Sequence, residues 1–149
     1  HELVSMHPLP DLLLLMDYRR WEVFLGSALT YTVELLQKFK DTVWYRLIGL
    51  TNWSHETFPV ALERFDFLSW FEGIVVSGTE KMKKPDASIY TLTLDRYNVT
   101  ARNAVFIDDK LENVHAATKL GIHGVHFTTA AKLKRDLETL GVSCIRKNF

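Results

Sequence analysis

Ala104-Val105-Phe106-Ile107-Asp108-Asp109 joins a short, wholly apolar run to a pair of acids. Apolar residues in an unbroken run, two of them β-branched, read as a strand covered on both faces. The acids come where such a strand leaves the core. Downstream, Leu111 to Leu120 has helical spacing and Gly121 can end it, Gly124 to Phe127 reads as another strand, and Ala130 to Leu140 reads as a last helix before Gly141. Upstream, Asp86 begins a helix that runs to about Tyr97, and Gly73 to Ser77 is a strand. Ser54 is placed to cap a helix over His55 to Arg64. Tyr45 to Leu50 is a further strand, and Val33, Leu36 and Phe39 mark a helix over Thr32 to Lys40. Strands that alternate with helices imply βαβ units, a parallel sheet and an α/β doubly wound domain.

Composition narrows the function classes. The 149 residues suffice for one domain with its own core. Eighteen basic and eighteen acidic side chains cancel, so no charge excess points to nucleic acid or an anionic membrane as a partner. The longest apolar run, Leu12 to Met16, is far shorter than the roughly 20 residues of a membrane span. Cys144 is the only cysteine, which excludes an intrachain disulfide and a cysteine metal cluster and fits a cytoplasmic location. The first residue is His1 rather than Met, and the chain is therefore expected to be a processed or truncated piece of a longer protein.

In doubly wound folds ligands bind beyond the carboxyl ends of the strands. Those ends carry Thr51-Asn52, then Lys84 in the loop Lys81-Met82-Lys83-Lys84-Pro85-Asp86, then Asp108-Asp109 with Asn113 beyond. Hydroxyl and amide groups hold phosphoryl oxygens, lysine neutralises their charge, and carboxylates hold a hard cation such as Mg²⁺. Each feature has a plainer reading: a turn for Thr51-Asn52, a solvated loop lysine for Lys84, a helix-dipole partner for Asp108-Asp109. The joint pattern, each feature at a strand end, favours a phosphate site. Neighbouring acids on an extended strand face opposite ways, so one of Asp108 and Asp109 is the main ligand.

Three stretches resemble the haloacid dehalogenase-like (HAD) hydrolases. Leu50 to Pro59 resembles the second family motif and its flank. Ser77-Gly78 with Met82 to Tyr90 resembles the third. Val105 to Asp109, with Asn113, Ala116-Ala117 and Leu120-Gly121-Ile122, resembles the fourth. The likeness runs from about Tyr18 to Gly141. It implies that Thr51 binds the transferring phosphoryl group, that Asn52 and Trp53 shape the substrate pocket, and that Lys84 bridges phosphate and nucleophile. It also implies Asp109 as the Mg²⁺ ligand, Asp108 beside it and Asn113 ordering that shell. The implied activity is Mg²⁺-dependent hydrolysis of a small phosphorylated metabolite through an aspartyl-phosphate, with the nucleophile expected upstream of this chain rather than in it. The acidic pair favours this over the metal-free dehalogenase branch. A 2-haloacid dehalogenase and a non-catalytic HAD-like module are the alternatives.

The family's first motif is D-x-D, whose first acid is the nucleophile and whose second is the general acid/base. No Asp here is followed by another two positions on, and Asp11, Asp17, Asp41 and Asp66 read as helical or loop residues. Residues 1–25 read as helical, so 1–27 is expected to be the end of a helical cap and 28–149 the core domain. The core is then expected to lack its first strand, to be open to self-association through the gap, and to be close to inactive alone.

Overall fold

In the computed structural model, residues 13–16, 27–42 and 45–143 are described. Five parallel strands form one sheet in the order β3-β2-β1-β4-β5. They are β1 (Leu13–Met16), β2 (Arg46–Thr51), β3 (Gly73–Val76), β4 (Ala104–Asp108) and β5 (His123–His126). Helix α1 (Ser27–Thr42) precedes β2, and α2 (Phe58–Arg64) lies between β2 and β3. A short α3 (Ser77–Glu80) and α4 (Ala87–Arg96) join β3 to β4, α5 (Leu111–Lys119) joins β4 to β5, and α6 (Ala130–Thr139) follows β5.

Period-two alternation sends successive strand side chains to opposite faces, and both faces are covered. Leu47, Val105, Ile107 and Val125 pack with Leu35, Leu36 and Phe39 of α1 and Leu133 and Leu137 of α6. Ile48, Leu50, Val75, Ala104 and Phe106 pack with Ile89 and Tyr90 of α4 and Ala117 of α5. The result is the three-layer α/β sandwich that the sequence implies.

The central strand corrects one expectation. Leu13–Met16 is not helical. It pairs with β2 on one side (Met16 beside Gly49) and with β4 on the other (Met16 beside Ile107). The sheet therefore has a strand in the position expected to be vacant, and the proposed self-association through a gap loses its basis. The physical reason is that β2 and β4 each present a row of backbone donors and acceptors, and a short apolar run inserted between them satisfies both rows. The segment assigned to a cap thus contributes to the core sheet; the rest of residues 1–25 lies outside the described residues.

A second correction concerns the turn after β2. The helix begins at Phe58, not His55, with Pro59 in its first turn. Proline lacks an N–H and suits that position. The Ser54 hydroxyl accepts from Glu56 N at 3.1 Å and its carbonyl from Phe58 N at 3.0 Å, which closes a turn instead of capping the helix. Likewise Ser77 begins α3 rather than ending β3. The glycine stops are as expected, with Gly121 and Gly141 at φ of 87° and 82° beyond α5 and α6.

Candidate active site at the carboxyl edge of the sheet

Because all five strands are parallel, their carboxyl ends share one edge. Thr51 ends β2 and Asp108 ends β4, on either side of β1. Lys84, carried on the loop between α3 and α4, connects these flanks. Its ammonium donates to the Leu50 carbonyl at 3.0 Å and to Asp108 Oδ2 at 2.8 Å, with both charged side chains fully buried. Leu50 belongs to β2 and Asp108 to β4, so the ammonium spans from one to the other at the end of β1. It also lies 5.5 Å from the centre of the Phe106 ring.

Burial of a charge is costly unless it is paired and hydrogen-bonded. Asp108 meets that condition fully. Its Oδ1 accepts from Lys110 N at 2.7 Å, and its Oδ2 accepts from Lys84 Nζ and from Asn113 Nδ2 at 3.1 Å. Asn113, in the first turn of α5, is held in turn by the Tyr90 hydroxyl, which donates to its carbonyl at 2.8 Å. Tyr90 stands edge-on to Phe106. Asp108, Lys84, Asn113 and Tyr90 thus form one buried polar network.

Asn52 holds the loop that carries Lys84. Its amide donates to the Lys84 carbonyl at 3.0 Å, and its Oδ1 accepts from Lys84 N at 2.9 Å. This reciprocal pair fixes the main chain that carries the buried lysine. Trp53 is half-buried, with its indole N–H donating to Thr57 Oγ1 at 2.9 Å and its ring against Phe58. Its backbone is fastened to the start of α3. Trp53 N donates to Ser77 Oγ at 2.9 Å, and Trp53 O accepts from Gly78 N at 2.9 Å. A Cβ on Gly78 would fall 2.6 Å from His55 N and 2.8 Å from Trp53 O, so only glycine permits this approach. Thr51 is fully buried beside Val76 of β3.

The structure therefore gathers Thr51, Asn52, Lys84, Asp108, Asp109 and Asn113 at one edge, with Trp53 on the neighbouring turn. One neighbour was not read from the sequence as part of it. His126, the last residue of β5, has Nε2 2.9 Å from the Asp109 carbonyl. A lone histidine at a strand end carries no signal of that contact.

The donor set suits a hard cation only in part. Carboxylate oxygens are the right chemistry, yet no three His, Cys, Asp or Glu side chains gather among the described residues. Mg²⁺ commonly keeps several waters and takes one or two carboxylates, which this edge can offer. No helix among the described residues is long and apolar enough to cross a membrane.

Comparison with known proteins agrees with this architecture. The chain is 40% identical over 74 residues to a sesquiterpene phosphatase of Aspergillus oryzae, which covers 50% of this chain and 37% of that protein. It is 32% identical over 101 residues to flavin mononucleotide hydrolase 1 of Arabidopsis thaliana, which covers 68% of this chain and 36% of that one. The matched stretch thus spans little more than a third of these relatives. The fold is shared with a HAD family enzyme of Bacteroides thetaiotaomicron solved as a mutant with magnesium and inorganic phosphate. The TM-score is 0.61 at 15% identity, over 81% of this chain and 95% of that one. The family model described as haloacid dehalogenase-like hydrolase matches residues 27–127, and the chain belongs to that family.

Proposed function

We propose that this chain is the phosphoryl-transfer core of a phosphatase acting on a small phosphate monoester, with Asp17 as its nucleophile. The observation that carries the reading is the Lys84 ammonium, buried at the end of β1 between β2 and β4. Asp17 follows Met16 directly in the sequence. It lies outside the described residues, but the strand before it replaces the helical context that argued against it.

In this reading a carboxylate oxygen of Asp17 attacks phosphorus as the bond to the leaving alkoxide breaks. An aspartyl-phosphate forms, and water then releases inorganic phosphate. Lys84 neutralises charge between carboxylate and phosphoryl group, and Thr51 donates to a phosphoryl oxygen. Asn52 holds the main chain of Lys84 in register. Asp109 is the acid that the family resemblance assigns to Mg²⁺, and Asn113 positions Asp108 beside it. Bound Mg²⁺ supplies charge stabilisation to the phosphoryl oxygens.

Asp17-Tyr18-Arg19 keeps an acid in the first place of the D-x-D pattern and has arginine in the second. Arginine does not deprotonate in proteins and cannot serve as the base for water. Turnover of this chain is accordingly expected to be slow, with the phosphoenzyme accumulating. The similarity to two hydrolases of phosphorylated compounds supports the substrate class.

The test is phosphate release from a panel of small phosphate monoesters, with and without Mg²⁺. A Mg²⁺-dependent burst, abolished in Asp17→Asn, is the expected result. Turnover of a 2-haloacid without Mg²⁺ would move the assignment to the dehalogenase branch, and no reaction with either would favour a non-catalytic module.

A further inference from the structure

We infer that His126 is a positioning residue for the cation site, acting through the main chain of Asp109. The inference rests on the assignment of Asp109 to Mg²⁺ given above. The ladder between β4 and β5 ends at the pair Asp108 and His126. Beyond it, the Asp108 carbonyl still receives a backbone donor, Phe127 N at 2.9 Å. The Asp109 carbonyl is one residue further and past the last rung of the ladder. There His126 Nε2 meets it at 2.9 Å. A carbonyl oxygen only accepts, so Nε2 must carry the proton.

Two successive carbonyls of the acidic turn are thus held from the end of β5, one by an amide and one by an imidazole. The Asp108 side chain has its own restraints in Lys84, Lys110 N and Asn113. The imidazole holds the carbonyl end of the peptide plane that follows the Asp109 Cα, whose amide end is held by Asp108 Oδ1, and so steadies the direction from which the Asp109 carboxylate is presented. Mg²⁺ demands near-ideal octahedral geometry, so a ligand free to rotate binds it more weakly. Groups that orient a ligand from behind typically account for about 10- to 100-fold in metal affinity.

The experiment is Mg²⁺ titration by calorimetry on the purified protein, native and as Asp109→Asn, His126→Phe, His126→Gln and His126→Asn, each with a thermal melt. Asp109→Asn should lose Mg²⁺ binding. His126→Phe should raise the Mg²⁺ Kd by about 10- to 100-fold. His126→Gln, whose amide nitrogen can stand where Nε2 stands, should bind nearly as the native protein does, and the shorter His126→Asn should not. Native-like affinity in His126→Phe, with or without a lowered melting point, overturns the inference while Asp109→Asn still reports the site. Should His126→Phe not fold, equal affinity of the Gln and Asn variants overturns it in the same way. If Asp109→Asn binds Mg²⁺ normally, the assignment of Asp109 itself has failed and the inference falls with it.

Discussion

At the amino end of β2, Arg46 grips Glu72 through hydrogen bonds of 3.0 and 2.7 Å, the two side chains being 26% and 45% exposed. At the carboxyl edge, Lys84 holds Asp108 through a bond of 2.8 Å with both side chains wholly buried. The first pair is a surface staple. It ties β2 to the residue before β3, while Arg46 also donates to the Tyr97 carbonyl at 2.8 Å. Water screens it and would solvate either partner alone. The second pair has no water to fall back on, and the Asp108 carboxylate has the Lys84 ammonium against it. A protein has no stability reason to prefer such a pair over apolar side chains of similar volume. Its presence at the edge where a doubly wound sheet binds ligands is what the proposed function explains.

The contrast can be broken from either side. The largest effect is expected from Asp17→Asn, which should lower phosphoenzyme formation by at least about 10³-fold with little change in the melt. Next, Lys84→Met should destabilise the fold by about 3–5 kcal/mol in denaturant unfolding, because it leaves Asp108 buried and unpaired. Adding Asp108→Leu to it should restore much of that stability and none of the turnover. A double variant as unstable as the single one would mean that the pair is architectural after all. Asn52→Ala removes both hydrogen bonds to the main chain of Lys84 and should cost about 1–3 kcal/mol, with kcat falling more than KM rises.

At the exposed pair the expected effect is small. Glu72→Gln should change stability by no more than about 1 kcal/mol. The hydrogen bond from Arg46 holds the Glu72 carboxyl below its ordinary value of 4.5, against a smaller opposing effect of burial. A carboxyl lowered in the folded state adds stability above its unfolded pKa and loses it as pH falls through the folded value. The acid side of the stability profile should therefore differ slightly between Glu72→Gln and the native protein below about pH 4.5, and coincide with it in shape above.

Thr51 and Asp108 could be picked out from the sequence because each ends a strand, whereas Lys84 sits on the loop between α3 and α4 and joins them only through its contacts with Leu50 and Asp108. The central strand could not be picked out. Leu12 to Met16 consists of leucine and methionine, strong helix formers with no β-branched residue, and five apolar residues in a row show no period. Its state is decided by two neighbours supplied from far along the chain, Arg46 to Gly49 and Ala104 to Ile107. The proposal for Asp17 depends on that strand, since the helical reading of residues 1–25 gave the acid no strand end to follow. The hold of Asn52 on the main chain of Lys84 could not be read from the sequence, because the two are 32 positions apart. His126 reads from the sequence as a structural or surface group rather than a metal ligand, and its contact with Asp109 arises only once β4 and β5 are paired.

The central claim is that Asp17, the residue that follows β1 in the sequence, is the nucleophile. Its most direct test is to incubate the protein with a reactive phosphate monoester and Mg²⁺, quench with hydroxylamine and map the modified residue by peptide mass spectrometry. A hydroxamate at Asp17, absent without Mg²⁺ or substrate, is the predicted result. A hydroxamate at another carboxylate, or phosphate release with Asp17 replaced by Asn, would contradict it.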